Sequence, residues 1–171
     1  PMAHPLEPLS AAEVQLAVTL LREANKVTPT TRFVSVSFKE PEKSLVHAGK
    51  FADCPREAFA VLFDNATNSC YETTLSLTER KLLTWKHVPG VQPTMTADEQ
   101  VECEQAVLRS PEFRAALKRQ YSIDDTSLVM VDIWSAGNYG SEEDSTLRLA
   151  RPLCFLRRDP TDTAYAKPIG G

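Results

Sequence analysis

Apolar positions along this chain twice switch from a helical period to an alternating one, and each switch follows a capped helix start. In the first stretch Val14, Ala17, Val18, Leu21 and Ala24 recur at helical spacing, with Leu20 beside them. Ser10 and Glu13 precede them as an S-x-x-E capping box. The helix is predicted to fade before Thr28-Pro29-Thr30, because a residue before proline avoids the α region. Alternation then sets in. Val34, Val36 and Phe38 share one predicted strand face, and Glu40-Pro41 ends that strand. A loop through Ala48-Gly49-Lys50 leads to a second strand with Phe59, Val61 and Phe63 in phase. Asp64 to Asn68 has turn chemistry, and Asn65-Ala66-Thr67, a glycosylation sequon, reads as part of that turn. Tyr71, Thr73, Leu75 and Leu77 mark the returning strand; Leu83, Trp85 and His87 mark a fourth. One helix and four consecutive strands imply an antiparallel sheet with the helix across one face.

The pattern restarts after Pro89-Gly90-Val91-Gln92-Pro93, a short, stiff segment that separates a first unit, residues 1–91, from a second, 92–171. Thr96 and Glu99 repeat the capping box, each copy running from proline through an apolar residue to a hydroxyl cap. Val101, Cys103, Ala106 and Val107 are the apolar positions of the helix that follows. Ser110-Pro111 restarts a helix, serine as N-cap and proline at the first helical position, with Phe113, Ala116, Leu117 and Tyr121 along it. A strand is predicted from Leu128 to Trp134, then a glycine- and acid-rich loop from Ala136 to Ser145. A long strand through Leu147, Leu149, Leu153 and Phe155 comes next, its Pro152 marking an edge or a bulge. The fold class is therefore α+β, two tandem units of helix on antiparallel sheet.

Composition narrows the function. Hydrophobic residues make up 42% of the chain and charged residues 25%, ordinary for a soluble globular protein. The net charge of −4 argues against nucleic acid and against an anionic membrane surface as partners. Arg148, Arg151, Arg157 and Arg158 are the one basic cluster; apolar residues interrupt it, so it reads as the solvent face of a strand. No apolar run reaches the ~18 residues a membrane span needs. Cys54, Cys70, Cys103 and Cys154 are widely separated and form no C-x-x-C pair, which fits reduced thiols and a reducing compartment. Pro1-Met2-Ala3 and Gly170-Gly171 both read as cut edges.

The opening His4-Pro5-Leu6-Glu7-Pro8-Leu9-Ser10-Ala11-Ala12-Glu13 resembles the start of copper-containing amine oxidases, which usually carry aspartate where this chain has Glu7. The likeness continues through Phe38-Lys39-Glu40-Pro41-Glu42-Lys43 and Trp85-Lys86-His87-Val88-Pro89-Gly90-Val91-Gln92-Pro93. It resumes at Trp134-Ser135-Ala136-Gly137 and Arg148-Leu149, and ends at Tyr165-Ala166-Lys167-Pro168-Ile169-Gly170-Gly171, where Gly170 departs from the usual pattern. The resemblance implies two small cystatin-like N-terminal domains that precede a large catalytic β-sandwich. That missing domain would hold copper on three histidines and a tyrosine-derived quinone, topaquinone, and would oxidise primary amines to aldehydes within a homodimer. The partners implied are the chain's own catalytic domain and a second subunit, and the compartment is the cytoplasm or, alternatively, the peroxisome. The resemblance assigns this fragment no catalytic residue and no metal. It places Ile133, Trp134 and Tyr165, with Val101 aligned to a position early in the helix, at the wall of the substrate channel.

The residues themselves offer little else. His4, His47 and His87 are far apart and form no His-x-His pair. Asn138-Tyr139-Gly140 superficially matches the quinone motif but lacks its acid and reads as a turn. Glu142, Glu143 and Asp144 run consecutively and read as a solvated loop, not paired catalytic carboxylates. No glycine-rich phosphate loop is present. Two other readings stand beside the amine oxidase one: a self-contained cystatin-like binding module, which lacks the Gln-x-Val-x-Gly inhibitor signature, and a small enzyme using Cys and His, which has no local signature.

Overall fold

A computed structural model describes residues 4–137 and 142–170. Asn138-Tyr139-Gly140 therefore lies outside the described residues. Backbone proximity divides the chain into two compact units, Pro1–Pro93 and Thr94–Gly171.

The first unit begins with α1 (Ala11–Glu23) and continues through β1 (Thr31–Lys39), β2 (Glu57–Asp64), β3 (Ser69–Ser76) and β4 (Lys81–Val88). A short helix, α2 (Lys43–His47), and a 3₁₀ turn (Phe51–Asp53) occupy the segment the pattern leaves as loop. Elements this short do not show a period. The strands pair antiparallel in the order β1-β2-β3-β4. Helix α1 ends where Asn25 turns left-handed (φ 54°) and the Lys26 amide donates to the Leu21 carbonyl. Its Ala17, Leu20 and Leu21 are buried against Ala58, Ala60 and Leu62 of β2 and Leu75 and Leu77 from β3 and its end.

Two strand faces depart from simple alternation. β1 pairs Phe33 with Leu62 and Ser35 with Val61, so Val34 is an unpaired bulge residue. β4 pairs Thr84 with Thr74 and Leu82 with Leu75, which leaves Leu83 bulged and exposed. One extra residue reverses the phase on one side of each bulge. Phe33 thus joins Val36 against the core, and Leu82 joins Trp85, where the sequence pattern suggested Val34 and Leu83. In β2 the fully buried inward residues are Ala58, Ala60 and Leu62; Phe59, Val61 and Phe63 take the other face. Alanine's small volume leaves room for the helix, so two small side chains lie beneath it, while Phe63 is buried on the opposite face.

The second unit contains α3 (Ala97–Arg109), α4 (Pro111–Tyr121), β5 (Val129–Ser135), the single-turn α5 (Glu142–Ser145), β6 (Ala150–Leu156) and β7 (Lys167–Ile169). Its sheet is antiparallel in the order β5-β6-β7. Ser110 ends α3 and caps α4, its hydroxyl accepting from the Phe113 amide at 3.1 Å. The core is built on Leu117, Val129 and Val131, with Val107, Leu108, Phe113, Ile133, Cys154, Leu156 and Ile169 packed around them. Val101 and Ala106 face outward, contrary to the helical face read from sequence. Strand β6 starts at Ala150, so Leu147 and Leu149 lie before it and are exposed. Pro152 pairs with Ile133 on one side only, because β7 reaches no further than Cys154. Its missing N–H faces the open edge, where no ladder bond is lost. The acidic stretch read as loop includes α5.

One side-chain device recurs in both units. The Ser10 amide and hydroxyl donate to Glu13 Oε2 (2.8 and 3.0 Å), and Arg56, one residue before β2, grips the same carboxylate. Its Nε lies 2.6 Å from Glu13 Oε1 and its Nη2 2.9 Å from Oε2, while the guanidinium also donates to the carbonyls of Glu7 and Pro8. In the second unit the Thr96 amide and hydroxyl donate to Glu99 Oε2 (2.7 and 2.9 Å). Arg148 closes on that carboxylate at 2.6 and 2.8 Å and donates to the Thr94 carbonyl. Each arginine thus ties a helix N-terminus to the sheet, and its hydrogen bonds hold Glu13 and Glu99 at pKa values of about 2. Arg148 is therefore a half-buried clamp, where the sequence pattern suggested the solvent face of a strand.

Candidate functional site

Strand β5 sorts its side chains by parity. Val129 and Val131 are buried, and Ile133 packs with them against Leu117. Met130, Asp132 and Trp134 alternate with them and take the opposite face. Trp134 is 58% exposed, so the indole is not part of the core. Its Nε1–H donates to Asp132 Oδ2 at 2.9 Å.

Tyr165 arrives from the connection between β6 and β7 and is 57% exposed. Its hydroxyl donates to the same Asp132 Oδ2 at 3.1 Å, and its ring meets Phe155 edge-on with centroids 4.9 Å apart. The connection is itself braced: Arg158 Nε and Nη2 reach the Asp162 carboxylate at 2.9 and 3.1 Å, and Asp159 accepts from the amide and hydroxyl of Thr161. The negative Asp132 carboxylate at the Tyr165 hydroxyl pushes the phenol pKa up.

Trp134 and Tyr165 therefore meet over one carboxylate. Ile133 lies on the other side of the sheet, facing the core, and Val101 is half exposed on the second turn of α3. Asp132 was not singled out from sequence, and Phe155 was read there only as a strand position. Asp132 could have been found from its i,i+2 spacing to Trp134, which puts both on one strand face; Phe155 needed the register. The arrangement offers two amphipathic rings and a carboxylate on an open surface, a surface suited to contacting organic groups and to selecting among them by shape.

The remaining chemistry-bearing groups are dispersed. The His4 ring rests against Phe51, His87 against Tyr71, and His47 is in α2. Among the described residues no group of three His, Cys, Asp or Glu is placed to hold a metal ion, so these side chains do not fit a copper centre. Burial pushes the Cys103 and Cys154 thiols up, away from the thiolate a nucleophile needs. No helix among the described residues is long and apolar enough to cross a membrane.

Comparison with known proteins decides the family. A model of the AGAO-like N2 domain matches residues 10–84, and a model of the copper amine oxidase N3 domain matches residues 98–171. The chain belongs to the copper amine oxidase family. It is similar to a primary amine oxidase of Arthrobacter sp. (strain P1), 37% identical over 98% of this chain. It is also similar to a peroxisomal copper-containing diamine oxidase 1 of Nicotiana tabacum, 33% identical over 98% of this chain. The chain spans 26% of the length of each. A solved copper-containing benzylamine oxidase from Hansenula polymorpha shares the fold, with a TM-score of 0.80 at 20% identity over 98% of this chain and 27% of that one. The chain thus corresponds to the N-terminal domain region of copper amine oxidases, an α+β region of helices and antiparallel sheets.

Proposed function

We propose that this chain is the non-catalytic N-terminal domain pair of a copper amine oxidase, residues 1–91 and 92–171, and that its second domain walls the route by which amines reach the catalytic domain. The parent enzyme converts primary amines to aldehydes with release of ammonia and hydrogen peroxide. Copper and topaquinone belong to that catalytic domain and supply its redox chemistry. The partners are the catalytic domain and the second subunit of a homodimer. The compartment is the cytoplasm, with the peroxisome as the alternative named for the tobacco relative.

The observation that carries the wall reading is the exposure of Trp134 and Tyr165 together on one sheet face. Large aromatics left open on a folded surface mark a contact. Here they would line a passage and sort amines by the size of their tails. Val101 adds an exposed apolar side chain from α3, and Ile133 supports β5 from the core side.

The test uses the full-length protein from the source gene. Trp134→Ala and Tyr165→Ala are assayed by peroxide release on methylamine and 2-phenylethylamine. The expected result is a changed ratio of kcat/KM between the two amines at unchanged copper content. An unchanged ratio in both variants would refute the wall assignment. The 171-residue chain supplied with copper should release no peroxide from either amine; turnover there would overturn the non-catalytic reading.

A further inference from the structure

We propose that Asp132 is the positioning residue of this wall: one carboxylate oxygen holds the Trp134 indole and the Tyr165 phenol together and so sets the aperture between them. The functional consequence rests on the proposed wall, but the geometry stands alone.

Both rings are more than half exposed, and an exposed ring with no anchor samples several rotamers. Here each ring has a polar handle, and both handles end on Asp132 Oδ2, at 2.9 and 3.1 Å. Hydrogen bonds to an ionised acceptor are stronger than neutral ones. The carboxylate also joins parts of the chain that the backbone leaves apart. Trp134 is on β5, whereas Tyr165 belongs to the β6–β7 connection, 33 residues from Asp132. The sheet fixes Asp132 itself, because its neighbours Val131 and Ile133 are held in the core and its cross-strand partner is Leu153. Phe155 supports the Tyr165 ring from one edge without engaging its hydroxyl. The phenol pKa is raised by the same contact, first through the hydrogen bond to Asp132 and then through its charge. Arg151 is the cross-strand partner of Trp134, which makes it the cationic group nearest in register on this face.

Two measurements test this, on Asp132→Ala and Asp132→Asn. The amide oxygen of asparagine can still accept from both rings, whereas alanine accepts from neither. In the 171-residue chain, the Trp134 indole N–H is followed by NMR. The expected result is an upfield shift and about fivefold faster exchange in the alanine variant, the ratio for the net worth of one hydrogen bond, with most of the effect restored by asparagine. In the full-length enzyme, the ratio of KM for 2-phenylethylamine to KM for methylamine should change by a similar factor in D132A, and less in D132N. If Trp134→Ala changes that ratio and D132A does not, the wall stands and the positioning role is overturned. If neither Trp134→Ala nor Tyr165→Ala changes it, the wall reading fails and the NMR arm alone judges the carboxylate: an indole signal identical in wild type and D132A overturns the inference.

Discussion

Replacing Glu99 by glutamine removes one charge and little volume, and so isolates what the arginine clamp contributes to the second unit. The carboxylate is 11% exposed and Arg148 16%, with bidentate contacts of 2.6 and 2.8 Å. The folded-state pKa of about 2 lies below the ordinary glutamate value of 4.5. A separation of one pH unit between folded and unfolded values is worth ~1.4 kcal/mol, so this one is worth about 3 kcal/mol. Hydrogen bonds to charged groups contribute ~1.5–3 kcal/mol, and glutamine keeps one acceptor, so a loss of about 2–3 kcal/mol is expected at pH 7. The sign follows from the depressed pKa. The contribution is fully present above the unfolded value of 4.5 and disappears as pH falls through about 2. Wild type and Glu99→Gln should therefore converge between pH 4.5 and about 2. Native-state hydrogen exchange reads this locally: protection at the Met130 and Asp132 amides, which face β6, reports the second unit, and Leu62 and Leu75 report the first. A loss under ~0.5 kcal/mol at neutral pH would refute the clamp's contribution. A loss of the same size at acid pH near the folded pKa and at neutral pH would refute its electrostatic origin.

Further outcomes follow from other contacts. Arg56→Lys replaces a planar fork with a point donor at Glu7, Pro8 and Glu13, and should cost about 1–2 kcal/mol in urea unfolding while raising the Glu13 pKa from about 2 toward 4.5. Leu21→Ala empties a fully buried position between α1 and the sheet and should cost ~2–5 kcal/mol by the same assay. Ser110→Ala removes the side-chain cap of α4 and should cost about 1 kcal/mol, read from the exchange of the Phe113 amide and the denaturation midpoint.

Local signals along the chain determined much of this protein. The capping pairs Ser10/Glu13 and Thr96/Glu99 start α1 and α3, and Ser110-Pro111 starts α4, because caps act within a single turn. The Pro152 edge, the turn after Asp64 and the α+β class were legible for the same reason. Family membership was legible in the opening motif and the ordered matches after it.

Only the tertiary structure decided the rest. Bulges at Val34 and Leu83 are properties of a strand pair, so neither strand alone shows which residues turn inward. Ala58 and Ala60 line the core because α1 lies over them, which no hydrophobicity pattern in β2 reveals. Arg56 and Arg148 look like surface charges until the fold brings them to carboxylates 43 and 49 residues away. Trp134 and Tyr165 were named one by one, and the spacing of Asp132 to Trp134 is local, but the hydrogen bond that brings Tyr165 to the same carboxylate depends on the β6–β7 connection reaching the face of β5. Helix starts are set by contacts within one turn of chain; a clamp or an aromatic pair depends on contacts across the sheet.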